Sequence, residues 1–353
     1  MSVDNPELYF QTKLYTGTGS QLSVTLDGSE DMAPDWIWYK NRGTTNSHGL
    51  QDVVRGFNTT GIQSTNGSDA DPAFNGNTLG HVSAVGSNGF TVEAGNCANA
   101  SSNNYVAWCW KAGGSASSNS DGSITSSVSA NISAGFSVVG WTGNGSSGAT
   151  IGHGLNKKPT MIISKRRDSS SQWTFYEAIN GATKYMTLNQ TDATSSATSR
   201  WNDTEPTASV FSVGNSAEVN GSGGTYIAYC FADIKNYQKV GKYIGNGSSS
   251  DGTFVHLGIR PAFVITKRTS DISHWLLKDN KRDAFNVSDT LLVANSSDSE
   301  SAWGTGRKID FLSNGFKARS SSTGLNVSGS TYIYYAVSES PFINSSGLPN
   351  NAR

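Results

Sequence analysis

The chain has 353 residues and a net charge of −1, with 15% charged and 10% aromatic residues. At ~100 to 200 residues per domain, this length predicts two or three domains rather than one core. The low charge and the 39 glycines disfavour helical bundles and coiled coils, and the aromatic content excludes a disordered low-complexity chain. The composition therefore predicts an all-β protein.

Neither charge nor hydropathy points to a nucleic acid or a membrane. The longest basic run is the triplet at residues 165–167, which is too short to mark a phosphate-binding surface. No segment approaches the ~18 apolar residues of a membrane span, and residues 1–7 lack the basic and apolar regions of a signal peptide. We therefore expect no nucleic-acid partner, no membrane insertion, and synthesis in the cytoplasm.

An internal repeat organises the chain, and its landmarks follow one another in a fixed order. Each copy begins with a Gly-rich opening, at residues 15–20, 141–146 and 243–248. A proline then starts an apolar run, with a lysine six residues later and an acid eighteen residues later. These residues are Pro34, Lys40 and Asp52 in the first copy, Pro159, Lys165 and Glu177 in the second, and Pro261, Lys267 and Asp279 in the third. Such constant spacing predicts the same β-hairpin three times.

Each copy closes with its most apolar strand, at residues 105–110, 226–231 and 332–337. Side chains alternate along a strand, so Ile227, Tyr229 and Phe231 point one way while the residues between them point the other. Both sets are apolar. One face must lie in a core, and we expect the other to be covered by a loop, a neighbouring module or another chain.

The repeat predicts three tandem antiparallel β-sandwich modules of jelly-roll-like type, because its period is too long for propeller blades or solenoid rungs. We place the modules at residues 13–112, 136–235 and 236–345. Residues 113–135, nearly all small or polar, are interpreted as a Gly/Ser-rich linker or long surface loop. Residues 1–12 are interpreted as an N-terminal docking segment and residues 346–353 as a C-terminal tail.

The cysteines and histidines do not predict a metal site or a disulfide. Cys109 and Cys230 occupy the same position in different modules, so we expect them to be buried thiols, and Cys97 is then unpaired. The five histidines show no metal-binding spacing. Residues 66–71 and 286–298 are rich in Asp and Asn and could offer oxygen ligands to calcium, but we interpret them as solvated turns. No cofactor is predicted.

The repeated lysines and acids could be read as catalytic pairs. Catalytic groups rarely recur unchanged in three modules, whereas a hairpin ion pair or a turn hydrogen bond would, so we interpret these residues as structural and predict no enzyme activity. The remaining candidates are aromatic side chains in polar loop sequence. Trp201 and Trp303 are therefore predicted to be exposed and to contact a partner or a glycan.

Several long runs resemble virion proteins of marine tailed phages, including cyanophages. The runs are residues 5–17, 36–42, 50–56 and 105–114, with a C-terminal copy of the same module at residues 310–317 and 332–342. Proteins of this family are mostly structural or tail-fibre-like, so the resemblance implies a virion protein made in the host cytoplasm. It supplies no catalytic residues.

The leading functional prediction is a non-enzymatic virion structural protein that forms a fibre- or spike-type projection and contributes to host-surface attachment. Its expected partners are other virion proteins, further copies of itself, with a trimer among the options, and a glycan or protein receptor on the host. Only about a dozen residues precede the first repeat, whereas a tail fibre usually carries a dedicated attachment region. A head-decoration or collar protein is therefore the alternative. A third hypothesis is an enzyme that degrades surface polysaccharide, which would require a carboxylate-lined groove.

Overall fold

A computed structural model describes residues 3–71, 76–304 and 306–341. Its regular elements are almost all β-strands, and every pairing between named strands is antiparallel. The predicted all-β class is thereby confirmed. We describe the chain as unit 1 (residues 3–112), unit 2 (residues 113–235) and unit 3 (residues 236–341), each of which contains one copy of the repeat.

The elements are as follows in chain order. Unit 1 contains β1 (Phe10–Thr16), β2 (Leu22–Val24), β3 (Trp36–Asn41), β4 (Gly49–Asp52), α1 (Gly76–Leu79), β5 (Val82–Gly86), β6 (Gly89–Val92) and β7 (Asn104–Trp110). Unit 2 contains β8 (Ser117–Asn119), β9 (Ser126–Asn131), β10 (Phe136–Thr142), β11 (Ala149–Gly152), β12 (Met161–Arg166), β13 (Trp173–Glu177), β14 (Lys184–Thr187), β15 (Ser195–Ser196), α2 (Thr198–Trp201), β16 (Val210–Val213) and β17 (Thr225–Phe231). Unit 3 contains β18 (Gln238–Ile244), β19 (Phe254–His256), β20 (Ile259–Arg268), β21 (Leu276–Asp279), β22 (Leu292–Val293), β23 (Ile309–Leu312), β24 (Gly315–Ala318) and β25 (Thr331–Pro341). Short 3-10 helices span Pro6–Leu8 and Glu300–Trp303.

Each unit has an inner sheet with the same strand order. The opening strand pairs with the closing strand, which pairs with the strand that follows the proline, which pairs with the strand that carries the acid. These strands are β1-β7-β3-β4 in unit 1, β10-β17-β12-β13 in unit 2 and β18-β25-β20-β21 in unit 3. The register also agrees, because Trp36, Met161 and Phe263 each lie opposite the same position of the closing strand.

The three prolines lie at the N-terminal side of the equivalent strand. Pro34 and Pro159 precede β3 and β12 by two residues, and Pro261 lies inside β20 at a register shift in its pairing with β25. A proline lacks the N–H that a ladder needs, so a strand start or a bulge is where it is tolerated. The constant spacing in the sequence therefore has a backbone cause.

A smaller outer sheet covers one face of each inner sheet and encloses a core. The outer sheets are β2-β6-β5, β11-β16 and β19-β24-β23. The enclosed cores contain, among others, Ile37 in unit 1, Ile162 in unit 2 and Val264 in unit 3. Each unit is thus a two-layer sandwich.

The other face of each inner sheet lies in a central core that all three units share. In β17, Ile227, Tyr229 and Phe231 belong to this central core, while Tyr226 and Cys230 belong to the core of unit 2. Because alternate side chains of a strand point to opposite faces, one apolar strand serves two cores. The predicted second apolar face is therefore covered by the neighbouring units rather than by solvent or a loop.

Residues 113–135 are not a linker, and the interpretation of this segment as a linker or surface loop is wrong. Strand β9 pairs with β10, and β8 pairs with β9, so the segment extends the inner sheet of unit 2 by two strands. Small polar residues form these strands because alternate positions such as Val128 still reach the core of unit 2. The insertion also accounts for the longer first period of the repeat.

The described part of the predicted docking segment packs against the protein itself. Val3 and Phe10 are buried in the central core, and the backbone N–H of Val3 donates to the carbonyl of Lys235 at 3.3 Å. Val3 and Phe10 of the predicted docking segment therefore belong to the core of this protein, and docking through residues 1–12 stays a prediction. The predicted tail at residues 346–353 lies outside the described residues.

Candidate functional site

The three repeated acids close the turn that follows their strand. Asp52 Oδ1 accepts hydrogen bonds from the backbone N–H groups of Val54 at 3.0 Å and Arg55 at 2.9 Å. Glu177 and Asp279 accept the same two bonds, from the residues two and three positions later. The repeated acid therefore caps the turn, which agrees with its interpretation as the acceptor of a turn hydrogen bond.

An arginine three residues after the acid, which the sequence analysis overlooked, completes this turn in units 1 and 3. Arg55 Nε lies 2.6 Å from Asp52 Oδ2, Arg282 Nε lies 2.5 Å from Asp279 Oδ2, and all four side chains are fully buried. Burial alone would lower the pKa of Arg55, but the carboxylate of Asp52 holds that pKa above its ordinary value. Unit 2 has Asn180 at this position, so its turn has no buried cation.

The repeated lysines do not pair with the repeated acids, so the hairpin ion pair is wrong. Lys165 Nζ donates to the carbonyl of Ser68 at 3.2 Å, and Lys267 Nζ donates to the carbonyl of Thr191 at 3.0 Å. Each of these carbonyls belongs to the preceding unit. Lys40 Nζ donates to a carbonyl of its own unit, that of Asn41, at 2.5 Å.

Burial determines the acidity of the three repeated lysines. Burial lowers the pKa of Lys40, of Lys165 and of Lys267 to about 8. A buried ammonium is tolerated only when its protons are bonded, which is the role of the carbonyls. The three residues are therefore parts of the contacts between and within units.

Equivalent ring nitrogens and carbonyls hold the units together. In each case a ring N–H at the start of the acid-bearing hairpin strand donates to a carbonyl of another unit, at the same position of the repeat. The pairs are Trp173 Nε1 to the Ser64 carbonyl (2.8 Å), Trp275 Nε1 to the Thr187 carbonyl (3.1 Å) and His48 Nε2 to the Val293 carbonyl (3.0 Å). We call these contact regions joint 1–2, joint 2–3 and joint 3–1.

A second set of equivalent contacts crosses the same joints between backbones. The pairs are the Asp71 N–H to the Arg167 carbonyl (2.8 Å), the Thr194 N–H to the Thr269 carbonyl (3.0 Å) and the Glu300 N–H to the Arg42 carbonyl (2.9 Å). Each set contains one contact between units 1 and 2, one between units 2 and 3, and one between units 3 and 1. The units therefore form a closed ring with approximate threefold symmetry around the central core.

In the part of the chain that the structure describes, ion pairs reinforce two of the three joints. At joint 1–2 the side chains of Arg55 and Arg167 both bind Asp71, at 3.5 and 2.7 Å. At joint 3–1 Arg282 and Arg42 both bind Glu300, at 3.1 and 2.9 Å. The corresponding residues at joint 2–3 include Asn180, Thr194 and Thr269, which carry no charge.

Three buried asparagines organise the Gly-rich openings, and the sequence analysis did not single them out. Asn99, Asn220 and Asn326 each lie six residues before the first tyrosine of the closing strand, a spacing that could have revealed them. The side-chain oxygen of each accepts the backbone N–H of the opening turn, at 2.8 to 3.0 Å. These asparagines, like the repeated acids and lysines, therefore stabilise the fold of the units.

Trp201 is not exposed, and the prediction that its indole contacts a partner is wrong. Only 2% of its surface is accessible, and it packs in the core of unit 2 against Tyr176 and Phe211. The surrounding sequence is polar, but the four-residue helix α2 turns this one large apolar side chain inward. A polar neighbourhood in sequence does not establish exposure.

Trp303 is half-buried rather than exposed. It packs against the core of unit 3, contacts the ring of His274 with centroids 4.8 Å apart, and lies beneath the guanidinium of Arg307. Part of its surface remains accessible, so a contact with a partner stays a prediction for this residue.

Among the residues that the structure describes, the most exposed aromatic side chain is that of Phe285, which lies in the loop between β21 and β22. It is 84% exposed, and Val287 beside it is 45% exposed. The loop is held from within, because Asn286 exchanges two hydrogen bonds with the backbone of Phe311 and Asp283 accepts bonds from residues later in the loop. The structure thus presents an apolar tip on an anchored loop.

This tip is specific to unit 3. At the corresponding loop of unit 1, Phe57 is partly buried against the core of that unit, and unit 2 has no aromatic residue between Asn180 and Lys184. Solvent-exposed aromatic side chains on anchored loops are typical contact residues. We therefore take the loop that carries Phe285 as the candidate contact site.

A hydroxyl-lined groove of about 420 Å³ lies on unit 2, where the insertion extends the sheet. Its lining includes Ser118, Ser127, Thr142 and the guanidinium-bearing Arg167. The Arg167 side chain is already bound to Asp71. Hydroxyl groups can both donate and accept hydrogen bonds, so the groove is chemically suited to a polar ligand such as a sugar.

The thiols are all buried and free, and none is activated. Burial raises the pKa of Cys97 to about 11 and raises that of Cys109 and of Cys230 above its ordinary value. A thiol with a raised pKa is a poor nucleophile and metal ligand. Within residues 3–71, 76–304 and 306–341, no three His, Cys, Asp or Glu side chains group to hold a metal ion. Within the same ranges, no helix is long and apolar enough to cross a membrane.

A family model described as Domain of unknown function (DUF7483) matches residues 5–341, a span that includes all three units and their joints. No curated protein and no solved structure matches the chain.

Proposed function

The chain belongs to the DUF7483 family, and we propose that it is a non-enzymatic structural protein of a phage virion, a fibre- or spike-type projection that contributes to host-surface attachment. The resemblance of its repeats to virion proteins suggests the particle, and the chemistry of its residues supports a scaffold. The repeated acids, lysines and asparagines are engaged in turns and joints. Loops that differ between the units are left to make contacts.

The observation that carries the attachment role is the exposed tip at Phe285. A large apolar side chain in water contributes little to folding, whereas an aromatic residue that fills a pocket on a partner is often a dominant contact. Because the loop is anchored by hydrogen bonds, little conformational entropy is lost on binding. The hydroxyl-lined groove on unit 2 offers a second surface for a host glycan.

A head-decoration or collar protein is the second candidate. It is favoured by the packing of Val3 and Phe10 in the central core, because a segment held there does not extend as an arm to another component. Both candidates make the protein part of the particle, and they differ in its position. Labelling intact virions with gold-conjugated antibodies against the protein distinguishes them, and particles without label would refute both.

The attachment role is tested by competition. The purified protein should reduce phage adsorption to host cells, and Phe285→Ser should weaken this competition about thirtyfold or more, since hot-spot truncations cost about 2 kcal/mol or more. The matched control is Ile272→Ser, because Ile272 is also in unit 3 and is 67% exposed. Equal competition by wild type and Phe285→Ser would rule out this site. Release of sugars from host polysaccharide by the purified wild type would instead support the enzyme reading.

A further inference from the structure

Joint 3–1 differs from the other joints in how the chain reaches it. Units 1 and 2 are consecutive along the chain, and so are units 2 and 3. Unit 3 meets unit 1 only through non-covalent contacts between residues far apart in sequence, such as the His48 and Val293 pair. This joint is therefore the place where the ring is closed.

The same joint has a titratable residue where the others have tryptophan. His48 occupies the position that Trp173 and Trp275 occupy in units 2 and 3, and all three donate a ring N–H to a carbonyl of the other unit. An indole does not change charge with pH, whereas an imidazole does. Only one of the three ring-nitrogen contacts can therefore respond to a proton.

Both nitrogens of His48 are used by the neutral ring. The Trp38 indole Nε1–H can only donate, and it lies 2.8 Å from His48 Nδ1, so that Nδ1 is the acceptor. Nε2 must then carry the hydrogen and donate it to Val293 at 3.0 Å. A second proton would go to Nδ1 and place two donors against each other in a fully buried site.

The surroundings of the imidazole disfavour the charged form. Lys40 of unit 1 and Arg282 of unit 3 both disfavour a charge on the ring, whereas the backbone carbonyls of Val293 and Ser296 favour it. Burial, with help from the two cations, lowers the pKa of His48 well below its ordinary value.

Two carboxylates of the joint are committed to arginines, and a third, Asp298, which acts on Lys40, accepts a hydrogen bond from the Ser296 hydroxyl at 2.7 Å. Asp279 binds Arg282, and Glu300 binds both Arg282 and Arg42. Among the described residues, no carboxylate makes a hydrogen bond to the imidazole that could compensate its charge.

We infer that joint 3–1 is an acid-sensitive closure of the ring, which opens when His48 takes up a proton while joints 1–2 and 2–3 remain closed. Opening gives the imidazole water and an ordinary pKa, so the proton stabilises the open form. As the pH falls from about 6.5 toward the depressed pKa, the opening equilibrium constant rises about tenfold per pH unit. This inference is independent of the proposed function.

Hydrogen exchange measured by mass spectrometry on the full chain tests the inference, with the rates corrected for the intrinsic pH dependence. Below about pH 6.5, amides near His48 and Val293 should lose protection, while the corresponding amides near Trp173 and Ser64 and near Trp275 and Thr187 keep theirs. His48→Gln retains a neutral polar side chain without a titrating group. In this variant the opening equilibrium constant of joint 3–1 should not change with pH between about 7 and 4.5, whether the constant itself is larger or smaller than in the wild type.

Two results from hydrogen exchange would overturn the inference, namely equal loss of protection at all three joints, or no loss at joint 3–1 in the wild type. A third result would come from nitrogen NMR of the imidazole in the wild type, which does not depend on a folded variant. If that titration gives His48 a pKa at or above about 6.5, the proton does not stabilise the open ring.

Discussion

Replacing Asp52 by alanine should destabilise the protein strongly, because Asp52 serves both a turn and a joint. Its Oδ1 caps the turn, and its Oδ2 accepts from Arg55 Nε at 2.6 Å and from the Tyr229 hydroxyl of unit 2 at 2.9 Å. The substitution leaves a fully buried guanidinium whose neutral partners, the Leu50 carbonyl and the Tyr229 hydroxyl, remain, but whose anionic partner is now the more distant Asp71 carboxylate at 3.5 Å. Removing one partner of such a buried pair typically costs about 3 to 5 kcal/mol.

The repeat supplies the control. Glu177 caps the equivalent turn of unit 2, but the partner three residues later is the neutral Asn180. Glu177→Ala therefore removes hydrogen bonds without leaving a buried charge unpaired, and we expect a loss of about 1 to 2 kcal/mol.

Equilibrium unfolding in urea, followed by circular dichroism, gives both values. The double variant Asp52→Ala/Arg55→Met should recover about 1 kcal/mol or more relative to Asp52→Ala, because it also removes the unpaired cation. The reasoning is refuted if Glu177→Ala costs as much as Asp52→Ala, or if the added Arg55→Met destabilises the protein further.

Three further outcomes are expected. Trp201→Ala should cost about 3 to 5 kcal/mol in urea unfolding, because it empties a buried indole site, and a loss below about 1 kcal/mol would contradict the burial. Burial lowers the pKa of His153 to about 4. The unfolded chain therefore binds the proton first as the pH falls from about 6.5, and His153 alone should remove about 2 kcal/mol of unfolding free energy between pH ~6.5 and ~4.5, in addition to the loss that His48 causes. His153→Gln should lose correspondingly less over the same range. Thiol titration of the denatured protein should give the same count with and without reductant, and a gain of two with reductant would reveal a disulfide.

The sequence was sufficient for the fold class and for the strands that repeat. Constant spacing from Pro34, Pro159 and Pro261 locates the hairpins, because spacing along a strand directly sets which residues pair. The two apolar faces of residues 226–231 likewise indicate that both are covered, although the choice among a loop, a neighbouring module and another chain stayed open until the structure showed two cores. Such features depend on local geometry, which a single sequence contains.

The joints could not be predicted in this way, because they depend on how distant segments meet. Nothing in the spacing of Lys165 shows that its partner is the carbonyl of Ser68, almost a hundred residues away. The failure at Trp201 has a different cause, since one helical turn in polar sequence is enough to bury a single indole. Phe285 was overlooked because its exposure depends on the loop being held by Asn286.

The closure of three similar units within one polypeptide affects how the assembly behaves on dilution. Three separate copies would dissociate as their concentration fell, whereas here the partner of each unit is always present at the high effective concentration set by the connecting chain. The assembly also differs from a homotrimer in the effect of a mutation, because a change in one codon alters one unit rather than three. One unit could thus acquire the β8-β9 insertion and another the Phe285 tip, while all three kept the contacts that hold them together.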